Sequence, residues 1–331
     1  MRVRLAAFVA ATIVACVSAV ANAEPMDPAL ERLVSNPGCT KSGPGDAPGQ
    51  WNDMPDAMGV SHPCAPDNVA FKRLISQYAF ALAPTAMHSA RTTGYGGFHL
   101  SLQADYTGIS SDKSYWKLGT QGSTDPSSHR ASTFNGSPQS LLQLYSLKFR
   151  KSFGFGLEVT GIVGFMPKTS IISGGADVRM SLLEGFRTGI GGILPDVALG
   201  GGVRSITGTP QFQLTVAALD AQISKPLPIQ DSQVLTPYVG YQYLWIFGDS
   251  GLIDLTPGTD ALRYCNYAGQ NVPGNPDPNK PGVNDGQPIC KGGSPLDFNN
   301  NAVFKAVRLE RHRLIFGLNY RYEMVMLGGQ F

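Results

Sequence analysis

HRLIFGLNYRYEMVM, residues 312–326, is the stretch that decides how the chain is read. His312, Leu314, Phe316, Leu318, Tyr320, Tyr322, Met324 and Met326 make one almost wholly apolar row. Arg313, Ile315, Gly317, Asn319, Arg321, Glu323 and Val325 make the other, with both charge signs and an amide. Side chains alternate faces along a strand, so this is a strand with one greasy and one polar face. It runs well beyond the ~5 to 6 residues of an ordinary sheet strand, which is what crossing a bilayer as a strand requires.

Working outward, the same period recurs. Phe98, Leu100, Leu102, Ala104 and Tyr106 oppose His99, Ser101, Gln103 and Asp105, and Leu141, Tyr145, Leu147 and Phe149 oppose Lys148 and Arg150. Conservative counting gives eight strands, at 95–108, 139–151, 153–166, 176–185, 195–206, 211–225, 234–247 and 305–323. Along 211–225 the apolar set moves from Phe212, Leu214, Val216 and Ala218 to Leu219, Ala221 and Ile223, a phase change that a β-bulge near Ala217 would produce. Long connections follow the first and seventh strands, at 109–138 and 248–302, and shorter ones follow the second and sixth. The row Val239, Tyr241, Tyr243, Trp245 and Phe247 is aromatic toward one end, as an interface girdle would be.

Residues 1–23 read as a secretory signal peptide: Arg2 and Arg4, an apolar run from Leu5 to Val20, then Ala21-Asn22-Ala23. A competing site is lipobox-like, with cleavage before Cys16. Removing Arg2 and Arg4 brings the 26 Lys+Arg down to the 24 Asp+Glu, so the mature chain is formally neutral and gives no basic face for nucleic acid. Outside that leader no run reaches the ~18 apolar residues of a membrane helix. A spanning chain must then close its strands into a barrel, where every backbone group is paired.

From 24 to 93 the chain reads as an irregular N-terminal periplasmic segment. It carries one helix, capped by Asn68, striped by Val69, Phe71, Leu74, Ile75, Tyr78, Ala79 and Leu82, and stopped by Pro84. The four mature cysteines allow three pairings. Equal spacing within two Pro/Gly-rich stretches favours the bridges Cys39–Cys64 and Cys265–Cys290, in keeping with an oxidising compartment.

With its leader, amphipathic strands, unequal loops and terminal Phe331, the chain resembles the outer-membrane β-barrel proteins of Gram-negative bacteria over 94–331. The resemblance implies an all-β, antiparallel transmembrane barrel of eight strands, with ten as the nearest even alternative. It also implies an outer-membrane location, contact with outer-membrane lipid, and recognition of Phe331 by the barrel-assembly machinery. Counting back from Phe331, Gly329, Leu327 and Val325 lie out of phase with Tyr322, Tyr320 and Leu318, so a bulge or turn near Tyr322 and Glu323 is expected, and a turn would add a strand.

With the polar rows inward, the lumen collects His99, Gln103, Asp105, Lys148, Arg150, Glu158, Arg179, Arg204, Gln213, Asp220, Arg313, Asn319, Arg321 and Glu323. Eight strands leave an interior that side chains fill, so these groups are expected to form a paired plug ahead of a lining for small solutes. The function expected is a narrow channel for small solutes or a structural, surface-recognition barrel. Two alternatives stand beside it, a barrel enzyme acting on lipid or protein and a secreted soluble β-sandwich. For the enzyme, His99, Ser101 and Asp105 share a face but spread along one strand instead of converging, and no G-x-S-x-G is present. Asp277, Asn279, Asn284 and Asp285 are oxygen ligands without calcium-loop spacing, so neither metal nor cofactor is expected.

Overall fold

The computed structural model describes residues 24–33, 39–41, 51–53, 66–85, 88–122, 135–184, 194–230, 232–254, 265–267, 288–290 and 301–331. The leader with Cys16, Cys64, the oxygen-rich loop residues 277–285 and residues 185–193 lie outside the described residues.

Ten strands form one sheet: β1 (Phe98–Gly108), β2 (Leu141–Ser152), β3 (Leu157–Phe165), β4 (Ile172–Leu183), β5 (Asp196–Thr207), β6 (Phe212–Ser224), β7 (Leu227–Gln230), β8 (Gln233–Ser250), β9 (Val307–Tyr322) and β10 (Val325–Gln330). Every pairing is antiparallel, and the order runs β10-β9-β8-β6-β5-β4-β3-β2-β1, with the short β7 folded onto the start of β8. Each of the eight expected strands has its counterpart, within a few residues at either end. The sheet curls, but β1 and β10 share no ladder, so the closed eight-stranded barrel appears as an open curled sheet of ten. The last strand is the reason: β10 has six residues and its ladder stops where Gln330 meets Gly317, midway along β9.

The stretch that opened the argument is therefore not one strand. It breaks at a turn where Glu323 adopts a left-handed φ of 49°, and Val325–Gln330 returns beside it. This hairpin accounts for the phase change before the C-terminus. Leu327 pairs with Tyr320 and Gly329 with Leu318, and Phe331 exchanges both backbone hydrogen bonds with Phe316. Phe331 thus stands on the same exposed outer face as Phe316 and Leu318. Met324 belongs to the turn, and Met326 to the face opposite that row.

The phase change in β6 has another cause than the expected bulge. Its register is unbroken against both β5 and β8. What changes is the chemistry of the concave row. Phe212, Leu214, Val216 and Ala218 are buried on the inside, followed on the same row by Asp220, Gln222 and Ser224. Strands β2 and β8 divide likewise. Leu142 and Leu144 precede Ser146, Lys148 and Arg150, while Leu244 and Ile246 lie above Gln242 and Thr236. Gln213, expected inside, is correspondingly exposed on the outer face.

An apolar storey inside needs an apolar occupant. Helix α1 (Asn68–Leu82) supplies it, burying Phe71, Leu74, Ile75, Tyr78, Ala79 and Leu82 against those rows. Its cap is Asp67, one residue before the expected Asn68, whose carboxylate accepts from the Val69 and Ala70 amides at 3.0 and 2.9 Å. The helix stops at Leu82, two residues before Pro84. Tyr78 lies at its centre, its ring 5.0 Å from Trp116 and 5.6 Å from Phe212, its hydroxyl donating to the Met26 carbonyl at 2.9 Å. Trp116, on the short helix α2 (Ser114–Leu118), donates to Gln77 at 2.7 Å. Helix and wall approach closely enough that a Cβ on Gly248 would lie 2.6 Å from Ile75 Cγ2, a space only glycine leaves open.

The N-terminal residues pack at the sheet end that carries the long connections. Met26 N–H donates to the Lys168 carbonyl, Ala29 N–H to that of Gly119, and Leu30 N–H to the Gln211 side chain. Helix α1 and residues 84–85 and 88–93 lie along the concave face, and β1 starts at the other end. Of the two expected disulfides, Cys265 and Cys290 are direct backbone partners in a three-residue ladder. Cys39 lies opposite Asp53 in a second short ladder, and its expected partner Cys64 is outside the described residues.

Candidate functional site

Below α1 the concave side is polar, and residues 84–85 and 88–93 lie in it. Six strands, β1, β2, β3, β6, β8 and β9, reach this segment with an inward side chain. Gln242 and Arg313 both donate to the Pro84 carbonyl, at 3.0 and 2.6 Å, and Lys148 donates to that of Thr85 at 2.7 Å. Gln222 donates to the His88 carbonyl at 2.6 Å, and the Ala90 amide donates to Ser224 Oγ at 3.0 Å. Thr92 and Thr93 end the run on Glu184 and on the Ser152–Glu158 pair. Free carbonyls and amides of an irregular segment are costly to bury unpaired. Polar inward rows are what make this path habitable.

Three ion pairs form among those rows. Arg150 meets Glu158 at 3.4 Å, Arg179 meets Asp220 at 2.6 Å, and Arg204 grips both oxygens of Asp177 at 2.8 and 2.7 Å. Glu158, at 1% exposure, also accepts from Ser152 at 2.8 Å. His88 lies over this group with Nε2 3.8 Å from Glu158, and its Nδ1–H donates to the Ser89 carbonyl at 2.8 Å. Burial, and then the neighbouring Arg150 and Arg179, hold the His88 imidazole well below its usual value, so it is neutral at pH 7.

Of the residues expected to line a lumen, Gln103, Lys148, Arg150, Glu158, Arg179, Arg204 and Asn319 are buried on the concave side. His99, Asp105, Asp220 and Arg313 are half-buried there. Arg321 is exposed at the rim yet lines a cavity, Glu323 belongs to the exposed turn, and Gln213 faces out. The candidate triad is not assembled. His99 Nδ1 meets an Arg150 Nη2 donor at 3.2 Å, Asp105 accepts from Gln103, and neither meets Ser101. Among the described residues no group of three His, Cys, Asp or Glu side chains could hold a metal.

Two small cavities adjoin this network where β1 faces the β9–β10 hairpin, of about 80 and 120 Å³, sharing His88, His99, Arg150, Asn319 and Met326. The sequence reading named His99, Arg150 and Asn319 but never singled out His88. No periodicity marks an irregular segment, and a lone histidine between Pro84 and Gly94 carries no spacing to read. No family model, no curated protein and no solved structure matches this chain.

Proposed function

We propose that the protein is an integral outer-membrane barrel whose bore is filled by its own N-terminal segment, a plugged barrel that does not conduct at rest. The observation carrying this reading is an inversion of burial. The sheet buries Lys148, Arg150, Glu158, Arg179 and Arg204 on its concave side while Leu102, Val163, Leu314 and Phe316 stand exposed on its convex one. In water each such exposed side chain forgoes about 1.5–3 kcal/mol of burial; against hydrocarbon that loss vanishes. The second apolar layer that a soluble β-sandwich needs is not formed by the described residues.

The outer face is zoned as a bilayer would zone it. Along the paired strands β8 and β9 an apolar band reaches from Leu235 and Tyr320 to Tyr241 and Leu314. Beyond it come Tyr243 and Trp245, edge to face at 4.6 Å with His312 alongside at 4.9 Å, then the exposed pair Arg308–Asp249. An aromatic girdle edging an apolar band ~25 Å tall is the pattern of lipid-facing barrels. Lipid tolerates no open strand edge, so the reading requires that β1 and the β9–β10 hairpin be brought together or covered in the membrane.

Two measurements test this. Val163→Arg places a charge at mid-band, and in vesicles the variant loses about 2–4 kcal/mol of folding stability by urea titration, against almost nothing if that face meets water. Unboiled protein should also migrate apart from boiled protein on a denaturing gel, and no separation would remove the barrel. In planar bilayers the wild-type chain is expected to hold the baseline without steady steps, whereas Gln242→Ala with Arg313→Ala, which removes both donors to Pro84, produces flickering openings. Steady steps from the wild type would replace the plug with a channel.

A further inference from the structure

The two cavities beside β1 are the part of the interior that the plug leaves unfilled, and Asn319 stands between them. Its side chain is 2% exposed, it lines both cavities, and neither its Nδ2 nor its Oδ1 has a hydrogen-bond partner. A buried amide with both ends unused is uncommon, because each unmade bond forfeits hydration with no return. On the wall opposite, Gln103 leaves its Oε1 unpartnered as well. Arg313 Nε and the Tyr238 hydroxyl are also without a partner, but neither residue lines these cavities, and among the described residues Asn319 is the one side chain with both of its polar ends unused.

That place also opens outward. Leu102 points away from the interior and is 87% exposed, yet it lines the same cavity as the inward Gln103 and Asn319. The cavity therefore passes through the wall, between β1 on one side and Met326 and Gly328 of β10 on the other, where no ladder joins the strands. Met324, 97% exposed, flanks the second cavity. The rim is apolar and the depth is polar.

Charge favours one sign of occupant. The three guanidiniums Arg150, Arg179 and Arg204 each have a carboxylate, which leaves Lys148 and Arg313 against Asp105. Arg321 adds positive charge to the second cavity. Among the described lining residues of the two cavities the one acid is Asp177, already held by Arg204.

We infer that this gap is a lateral binding site for a single-chain amphiphile with a carboxylate head, the head reaching Asn319 and the chain leaving between Leu102 and Met326 into the lipid layer. The inference rests on the membrane reading above. The cavities are small, about 80 and 120 Å³, which suits a carboxylate and its first methylenes. The Asn319 amide donates to one carboxylate oxygen, and the surplus cations beside it balance the charge. Seated in the gap, the chain also covers the apolar rim that the unpaired strands leave open.

The test uses the full chain refolded in phosphatidylcholine vesicles, titrated with dansyl-labelled undecanoate and with its methyl ester. Saturable binding of the acid and not the ester is expected, displaced by palmitate and not by acetate or dioleoyl phosphatidate. Asn319→Leu, close in volume, should weaken binding about tenfold or more, and Asn319→Asp further still by repulsion, both with an unchanged gel shift. Equal binding of the ester, or undiminished binding by Asn319→Leu, overturns the site. Displacement by phosphatidate but not palmitate overturns the carboxylate and gives the gap to a bilayer phosphate. Absence of any heat-dependent gel shift is a separate failure, that of the membrane reading itself.

Discussion

Glu158→Ala should cost about 3–5 kcal/mol of folding stability, because it strands Arg150 in a buried place with no counter-charge. Arg150 is 5% exposed and its other contact is the half-buried His99. Ser152 loses its acceptor at the same stroke, and Thr93 N–H is left with Ser152 Oγ alone. Removing both partners is expected to be far milder: Glu158→Leu with Arg150→Met replaces two desolvated charges by packing atoms and should restore most of the loss. The exposed pair Arg308–Asp249, at 2.9 Å, sets the scale for comparison. Asp249→Ala should shift stability by at most ~1 kcal/mol, since water and salt already screen that pair. Urea midpoints of the slow-migrating and fast-migrating gel species in vesicles, compared with the wild type, give all three values. If Glu158→Ala proves no worse than Asp249→Ala, the polar interior is wet and the plug does not seal it.

Tyr78→Ala should cost a similar ~3–5 kcal/mol, with a different consequence. The ring is fully buried between Trp116 and Phe212, so its removal leaves a cavity at the one place where α1, α2 and the wall all meet. Tyr78→Phe keeps the ring and gives up only the bond to the Met26 carbonyl, worth about 1 kcal/mol. The loss is expected to fall on docking of the N-terminal segment more than on the strand ladders. Trypsin should then cut after Lys72 or Arg73 in the alanine variant at concentrations that spare the wild type, while the heat-dependent gel shift persists. Equal resistance of both proteins to trypsin would mean that α1 is held by something other than this aromatic contact.

What could be read from the sequence, and what could not, divides along a physical line. Alternation located the strands because a period of two is intrinsic to extended backbone. It says that there are two faces and not which one looks out. Phe212, Leu214, Val216 and Ala218 looked like lipid-facing residues, and they face α1. Nothing in the pattern of β6 reveals that partner, which lies more than a hundred residues earlier. The turn at Glu323 was legible as a phase fault near the C-terminus, since chain reversal and bulge leave the same mark in a string of letters. Of the candidate site, Lys148, Arg150, Glu158 and Arg313 were visible because a charge in a strand row is conspicuous. The partners that explain them, the carbonyls of Pro84, Thr85 and His88, carry no signature, because any residue type has a carbonyl. Asn319 was on the polar row, but an unmade hydrogen bond exists only once its surroundings do.

Order of manufacture and order of enclosure run in opposite senses here. Residues 66–93 leave the ribosome before any of the strands that come to surround them, and β9 and β10, the final hairpin, are the last to be made. In the proposed barrel, a segment tethered at both of its ends is most simply enclosed by staves that gather round contents already in hand. Maturation is there a wrapping reaction, with residues 84–85 and 88–93 as the mandrel and the β9–β10 hairpin added last.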